Sequence, residues 1–313
     1  MKSLHILSLL IVSFAPALSF SPSHKIREQR HHEMKASRRQ ILQTIAASSS
    51  MPLFVPSIAH AADAESSNLQ NGLLEVRVLE NLLSPPTYGM ESNDIYYPVF
   101  FTGVWNVLST TKEIQAPCGI ALFGGNNTYT RAQKEINTAL NYKARFVASA
   151  TGIIADREYN VVEIAKAAMG QNAILDVPVS TPNKVSVILA PNGANQILKA
   201  DLITLARRSE GINECEFHCS EVVRQVIGPA KQTNGGGLGG AARSTLLKEI
   251  ETASLYTAVR DDNGDINEIR CRQRSATFLL PSDQDPIAYT LWEAARGRPI
   301  DVRFYDVVYT RRS

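Results

Sequence analysis

The run Cys215-Glu216-Phe217-His218-Cys219 carries the side chains that are most capable of chemistry in the central part of the chain. Three ligands on five residues could hold zinc only in a tight turn, and no second cluster completes the usual set of four. The haem-attachment spacing C-x-x-C-H is also absent here. We therefore interpret the run as structural, with haem ligation by His218 as a weaker hypothesis.

The cysteines suggest a disulfide rather than a catalytic centre. In an extended strand Cys215 and Cys219 would lie on one face about 13 Å apart, too far to bridge each other. Either could reach Cys271, and an oxidising compartment would permit the bond. We expect at least one disulfide among these three residues, and its pairing stays open. An enzyme would need His218 as its base, and no serine lies in a G-x-S-x-G motif.

Two further motifs match cofactor or metal patterns only formally. Gly235 to Gly240 fits G-x-G-x-x-G, but no strand precedes it, so we expect a flexible loop and no nucleotide. Asp261 to Asp265 begins like a calcium loop, but Ile266 and Arg272 occupy its glycine and closing glutamate positions. A type I′ hairpin turn is favoured there. We therefore expect no cofactor and no metal.

Charge argues against a nucleic-acid partner. Residues 1–61 contain seven of the 32 Lys and Arg and two of the 30 Asp and Glu, which leaves 25 bases and 28 acids beyond residue 61. An acidic chain of this kind offers no attraction to a phosphate backbone.

The first 61 residues predict a three-part targeting signal. Residues 1–19 have the basic start, apolar run and small residues of a secretory signal peptide, and residues 20–36 resemble a plastid transit region. Residues 37–61 contain the pair Arg38-Arg39, an apolar run and an A-x-A cleavage site at Ala59 and Ala61, as in twin-arginine signals. The predicted destination is the thylakoid lumen of a plastid, for a mature protein that does not span the membrane.

The remaining chain predicts mainly β structure. Residues 62–95 suggest a leader and a short helix from Leu73 to Leu83, and 96–313 a single domain of about eight to ten strands. Strand-like runs include Tyr96 to Thr111, rich in β-branched and aromatic residues, and Asp301 to Arg312. One helix, Pro286 to Arg296, precedes the last strand. Antiparallel strands with frequent turn signals favour a barrel or a sandwich.

Two resemblances sharpen this prediction. Gly103-Val104-Trp105 resembles the opening strand of lipocalin-like (calycin) barrels, in which the Trp plugs the closed end and a late basic residue packs over it. The resemblance implies a structural barrel floor of Gly103, Trp105 and a terminal arginine, with Arg311 as first choice and Arg303 as second.

The second resemblance is to an uncharacterised family of thylakoid-lumen proteins in plants and algae. It covers most of residues 75–313 and rests on the strings Leu83 to Met90, Tyr97 to Trp105, Ala116 to Gly125, Ala155 to Asn160 and Pro299 to Arg311. The resemblance implies a plastid location and a single domain, and it transfers no catalytic residue.

Together these features favour a lipocalin-like binding module for a small apolar or amphipathic ligand, such as a lipid, pigment or quinone derivative. The alternative is a non-enzymatic accessory factor that docks on photosynthetic membrane complexes. An N-glycosylation sequon begins at Asn126.

Overall fold

The computed structural model describes residues 72–190, 197–230, 246–281 and 286–311, all within one compact unit. The predicted targeting residues Arg38, Arg39, Ala59 and Ala61 lie outside the described residues, as does the glycine-rich run 235–240.

Over these ranges the fold is mainly β, as predicted, and ten antiparallel strands form one curled half-barrel sheet. In sheet order the strands are β3-β2-β1-β10-β9-β8-β7-β6-β5-β4, so the first and last strands of the chain are neighbours. The strands are β1 (Gly103–Gln115), β2 (Ala139–Ala148), β3 (Ile153–Ala155), β4 (Ile174–Thr181), β5 (Lys184–Leu189), β6 (Leu198–Gly211), β7 (Glu216–Pro229), β8 (Leu246–Arg260), β9 (Ile266–Leu279) and β10 (Asp301–Thr310).

Five α-helices accompany the sheet in the described ranges. They are α1 (Leu73–Leu79), α2 (Ile120–Phe123), α3 (Asn126–Gln133), α4 (Arg157–Met169) and α5 (Pro286–Ala295). Helix α4 begins at Arg157 because Asp156 caps it, its carboxylate accepting a hydrogen bond from the Tyr159 backbone N–H at 3.1 Å.

Helix α4 fills the opening of the half-barrel. The sheet ends at β3 and β4, and α4 connects these two edge strands along the chain. Its apolar residues, including Ile164 and Ala165, share one core cluster with Leu140 of β2 and Leu189 of β5. The helix therefore buries the interior where strand pairing stops.

The first strand is shorter than its residue types suggest. The expected strand from Tyr96 to Thr111 begins only at Gly103, and Val99–Phe101 form a 3-10 turn after Pro98. Within β1 burial alternates from one residue to the next, because Trp105 and Val107 are buried while Val104 is exposed. Gly103 has a φ of 108°, a conformation that favours glycine and turns the chain into the strand.

The hairpin between β8 and β9 is confirmed, but its turn differs from the predicted type. A type I′ turn needs positive φ at both central residues. Within residues 261–265 only Gly264 has a positive φ, of 86°. The Asp261 carboxylate accepts hydrogen bonds from the backbone N–H groups of Asn263 and Asp265, both at 2.9 Å. This side-chain bonding stabilises a longer loop instead.

Candidate functional site

A groove of about 520 Å³ lies on the outer side of the sheet, between the end of α1 and strands β1, β9 and β10. Apolar side chains of α1 and β10 form one wall, and charged residues of β1, β9 and β10 form the other. The lining residues are Val78, Leu79, Asn81, Lys112, Glu113, Gln115, Arg272, Phe304, Tyr305 and Asp306.

A β-bulge in β1 shapes the charged wall. Opposite β10 the register shifts between Thr111 and Glu113, so Lys112 is an extra residue of β1. Bulges bend a strand and redirect a side chain. Here Lys112 reaches the carboxylate of Asp306, with Nζ 3.4 Å from Oδ2, and both side chains are largely exposed.

Arg272 supplies a guanidinium group at the groove. It lies on β9 opposite Asp306 of β10, and its side chain is exposed. Among the described residues no side chain forms a hydrogen bond or ion pair with its guanidinium. Planar guanidinium groups bind carboxylate and phosphate through two parallel hydrogen bonds, so Arg272 is suited to an acidic group.

A buried charge network holds α1 in place as the apolar wall. Arg77 of α1 forms two hydrogen bonds to the Glu251 carboxylate of β8, one of them from Nη2 to Oε2 at 2.6 Å. Arg274 of β9 donates to the same Oε2 at 3.0 Å. All three side chains are at most 3% exposed. Burial and the nearby Arg77 cation lower the pKa of Arg274, and Glu251 opposes them.

The chain after α1 is tied to the same network. Asn81 adopts a positive φ of 51° just past the helix end, a position where asparagine is common. Its amide donates to Gln115 at 2.7 Å, and its oxygen accepts from Arg274 at 3.1 Å. The Tyr88 hydroxyl donates to Glu251 at 3.0 Å, and burial raises its pKa above the usual range. The groove wall is therefore fixed by charge-assisted bonds.

Three residues of the expected barrel floor lie together at one end of the sheet. Trp105 is fully buried, and its indole N–H donates to the Phe101 carbonyl at 2.7 Å. The guanidinium carbon of Arg311 lies 4.7 Å from the Trp105 ring centroid, and Nη2 donates to the Phe100 carbonyl at 2.8 Å. Gly103 begins the same strand.

The space beside Trp105 is filled by aromatic rings. Phe101 contacts Phe146, Tyr256 and Tyr309, with ring centroids 4.9, 5.1 and 6.4 Å apart. These spacings are typical of packed aromatic pairs. This region therefore acts as a core, and the groove described above lies on the opposite, outer side of the sheet.

Arg303, the second choice, lies away from Trp105. It pairs with Asp301 on its own strand, Nε to Oδ2 at 3.0 Å, and with Glu135, Nη1 to Oε2 at 2.9 Å. All three residues are buried. Burial raises the pKa of Asp301, while Arg303 opposes the shift. Arg303 therefore anchors the segment after α3 to the sheet.

A second charge network joins α4 to the loop before β1. Glu221 of β7 accepts hydrogen bonds from Arg157 and Arg207, each at 2.8 Å. Arg157 also binds Asp94 at 2.6 Å. Burial would raise the pKa of Glu221, but these arginines outweigh it and lower the pKa. The network is structural, since every charge has an opposite partner within it.

His218 lies on β7, buried, with Nδ1 unpaired. Burial lowers its pKa, and the carboxylates of Glu210, Glu75 and Glu216 oppose this shift. No group of three or more His, Cys, Asp and Glu in the described ranges could hold a metal ion. Asn126, the sequon residue, is exposed at the start of α3.

The expected disulfide is not formed in this structure, where all four cysteines are free thiols. Cys219 and Cys271 lie on β7 and β9, which β8 separates. Two strand spacings are about 9.5 Å, beyond the reach of a disulfide. Cys215 precedes β7, and its carbonyl accepts a hydrogen bond from Ala258 of β8 at 2.7 Å, so it too is separated from β9. Burial raises the pKa of both Cys219 and Cys271, which makes them poor nucleophiles.

The sequence did not single out the groove. Its charged residues come from three separate strands, which local sequence patterns do not bring together. The run Thr110-Thr111-Lys112-Glu113, in which the apolar alternation of β1 breaks, was the one available signal for the bulge.

Fold and groove together define a mainly β protein that is built on one curled antiparallel sheet and carries an external groove. The chain belongs to the family described as Domain of unknown function (DUF6816), whose model matches residues 89–313. No curated protein and no solved structure shows a significant match to the chain. In the described ranges, no helix has the length and apolar character needed to cross a bilayer.

Proposed function

We propose that this protein is a binding module for a small amphipathic molecule that occupies the groove. Its acidic group would lie against Arg272, and its apolar part against Leu79, which is 47% exposed, and Phe304. The observation that carries the proposal is an arginine, unpaired within the described ranges, beside a cavity of about 520 Å³ with an apolar wall. Ligand pockets usually enclose about 300–1,000 Å³, so the groove fits one small molecule.

Lys112 provides a second cation that a ligand can recruit. Its present partner, Asp306, is 59% exposed, and the two side chains are 3.4 Å apart. Exposed ion pairs contribute about 1 kcal/mol or less, so opening this pair costs the protein little. The ligand class is therefore an apolar body with a carboxylate or phosphate, as in acidic lipids and in oxidised pigment or quinone fragments.

Titration calorimetry with dodecanoate and with uncharged dodecanol tests this proposal. Arg272→Gln should weaken dodecanoate binding about tenfold and leave dodecanol binding unchanged, because only the charged hydrogen bonds are lost. Leu79→Trp should weaken both, since the indole fills the groove. Arg131→Gln, at an exposed arginine of α3, is the matched control. Equal dodecanoate affinity in the wild type and Arg272→Gln would overturn the proposal.

We further propose that the protein acts in the thylakoid lumen of a plastid. Support comes from the order of signals in residues 1–61, with Arg38-Arg39 before an apolar run and Ala59-His60-Ala61 at its end. Amino-terminal sequencing of the protein from its source should find Ala62 as the first residue. Replacing Arg38 and Arg39 by Lys should leave a longer precursor outside the lumen.

A further inference from the structure

The outer face of β2, β1, β10 and β9 carries an apolar stripe, formed by Val104, Leu108 and Val308. Leu108 and Val308 lie directly opposite each other in the β1–β10 register, and Val104 lies on the same face of β1. Val104 and Leu108 are 49% and 41% exposed, and Val308 is half-buried. The stripe therefore presents aliphatic side chains to solvent at the centre of a sheet face.

Cations flank this stripe on both sides. On β2, Lys143 lies opposite Asn106, between the two apolar residues of β1. On β9, Arg270 lies opposite Val308. Polar residues placed on each side of an apolar stripe give the face an amphipathic pattern across four strands.

The charge balance of the face is positive. Glu268 pairs with Arg270 at 2.7 Å, and Asp306 pairs with Lys112. Lys143 and Arg272 have no carboxylate partner among the described residues, whereas Glu113 is the one carboxylate on these strands that no cation neutralises there. Residues 62–313 together are acidic, so this face has the opposite sign from the rest.

We infer that this face docks reversibly on a bilayer that contains anionic lipid. Aliphatic side chains enter the boundary between headgroups and acyl chains, while lysine and arginine extend their charges to the lipid phosphates. Protein interfaces instead concentrate their affinity in Trp, Tyr and Arg that fill pockets. The stripe offers only Val and Leu on the outer face of the curled sheet, which favours a lipid surface over a protein partner.

Co-sedimentation of the full chain with phosphatidylcholine vesicles, with and without phosphatidylglycerol, tests this inference. Lys143→Glu combined with Arg270→Glu should lower partitioning onto the anionic vesicles by about tenfold or more, because each cation near such a surface favours binding. Val104→Thr combined with Leu108→Asn should lower it as well. Added salt should release the wild type.

The matched control is Arg131→Glu with Lys134→Glu, which reverses two exposed cations elsewhere. Residues 1–71 are the same in every variant, so their own affinity for lipid cancels in the comparison. Arg272 is unchanged, so the result is independent of the ligand groove. The inference is overturned if the face variants partition like the control, or if an acidic protein binds this face while vesicles do not.

Discussion

The Arg311 guanidinium lies over the Trp105 ring, 4.7 Å from its centroid, and both residues hydrogen-bond to the same short 3-10 turn. Trp105 donates to Phe101 and Arg311 to Phe100. The beginning and the end of the domain are thereby fixed to one structural element. A cation over an indole face is favourable, and Trp is the best aromatic partner for it.

Replacing Arg311 by Met should therefore lower the free energy of unfolding by about 1–2 kcal/mol, from the lost cation–π contact and charged hydrogen bond. Urea denaturation followed by tryptophan fluorescence measures the change. Arg298→Met serves as a control outside this cluster. An unchanged unfolding midpoint for Arg311→Met would show that the contact contributes no net stability.

Gly103→Ala should destabilise the protein by about 1–2 kcal/mol, because its φ of 108° is unfavourable for any residue with a Cβ. No heavy atom lies within 4 Å of the position that an alanine Cβ would occupy there, so the loss reflects the backbone alone. Gly211→Ala is a close control, since that strand residue has open space and no positive φ. Equal thermal unfolding of the two variants would contradict the prediction.

Glu251→Gln should lower the free energy of unfolding by about 3–5 kcal/mol, because it leaves Arg77 and Arg274 buried without their anion. Glu249→Gln on the same strand breaks a more exposed pair with Arg224 and should cost about 1 kcal/mol or less. Chemical denaturation of both variants provides the comparison. The groove ligand should also bind more weakly to Glu251→Gln, since α1 loses its anchor.

Protonation of His218 should destabilise the fold. Its pKa is lower in the folded protein than in the unfolded chain, so the unfolded chain binds more protons below about pH 6.5. The contribution of His218 to the free energy of unfolding is therefore fully present above that pH, and it decreases as the pH falls toward the folded-state pKa. Denaturation at about pH 7.5 and about pH 5.5, on either side of the reference pKa, should show a smaller loss for His218→Leu than for the wild type. An equal loss in both proteins would assign the effect to other groups.

The class of fold could be predicted from local patterns. Alternating burial in β1 and the Asn263-Gly264 hairpin depend on neighbouring residues, and both are visible in the sequence. The predicted start of β1 was wrong because Pro98 and the positive φ of Gly103 outweigh the β propensity of Tyr96 to Phe101.

The groove and the buried charges depend on distant pairing instead. Arg77 and Glu251 are 174 positions apart, and nothing near either residue indicates that it is buried. The position of the bulge depends on how β1 pairs with β10, which local residue types do not determine. The disulfide expectation failed for the same reason, because strand order decides which cysteines are neighbours.

The pairing of β1 with β10 also governs the order in which the protein can fold during its synthesis. While the ribosome is still producing residues before Asp301, β1 and β9 each have an unpaired edge in the nascent chain. The β1–β10 contacts span almost the entire domain, and contacts of such sequence separation form slowly. The last strand therefore completes the sheet. In a chain truncated before it, the facing edges of β1 and β9 stay unpaired and can pair with another chain.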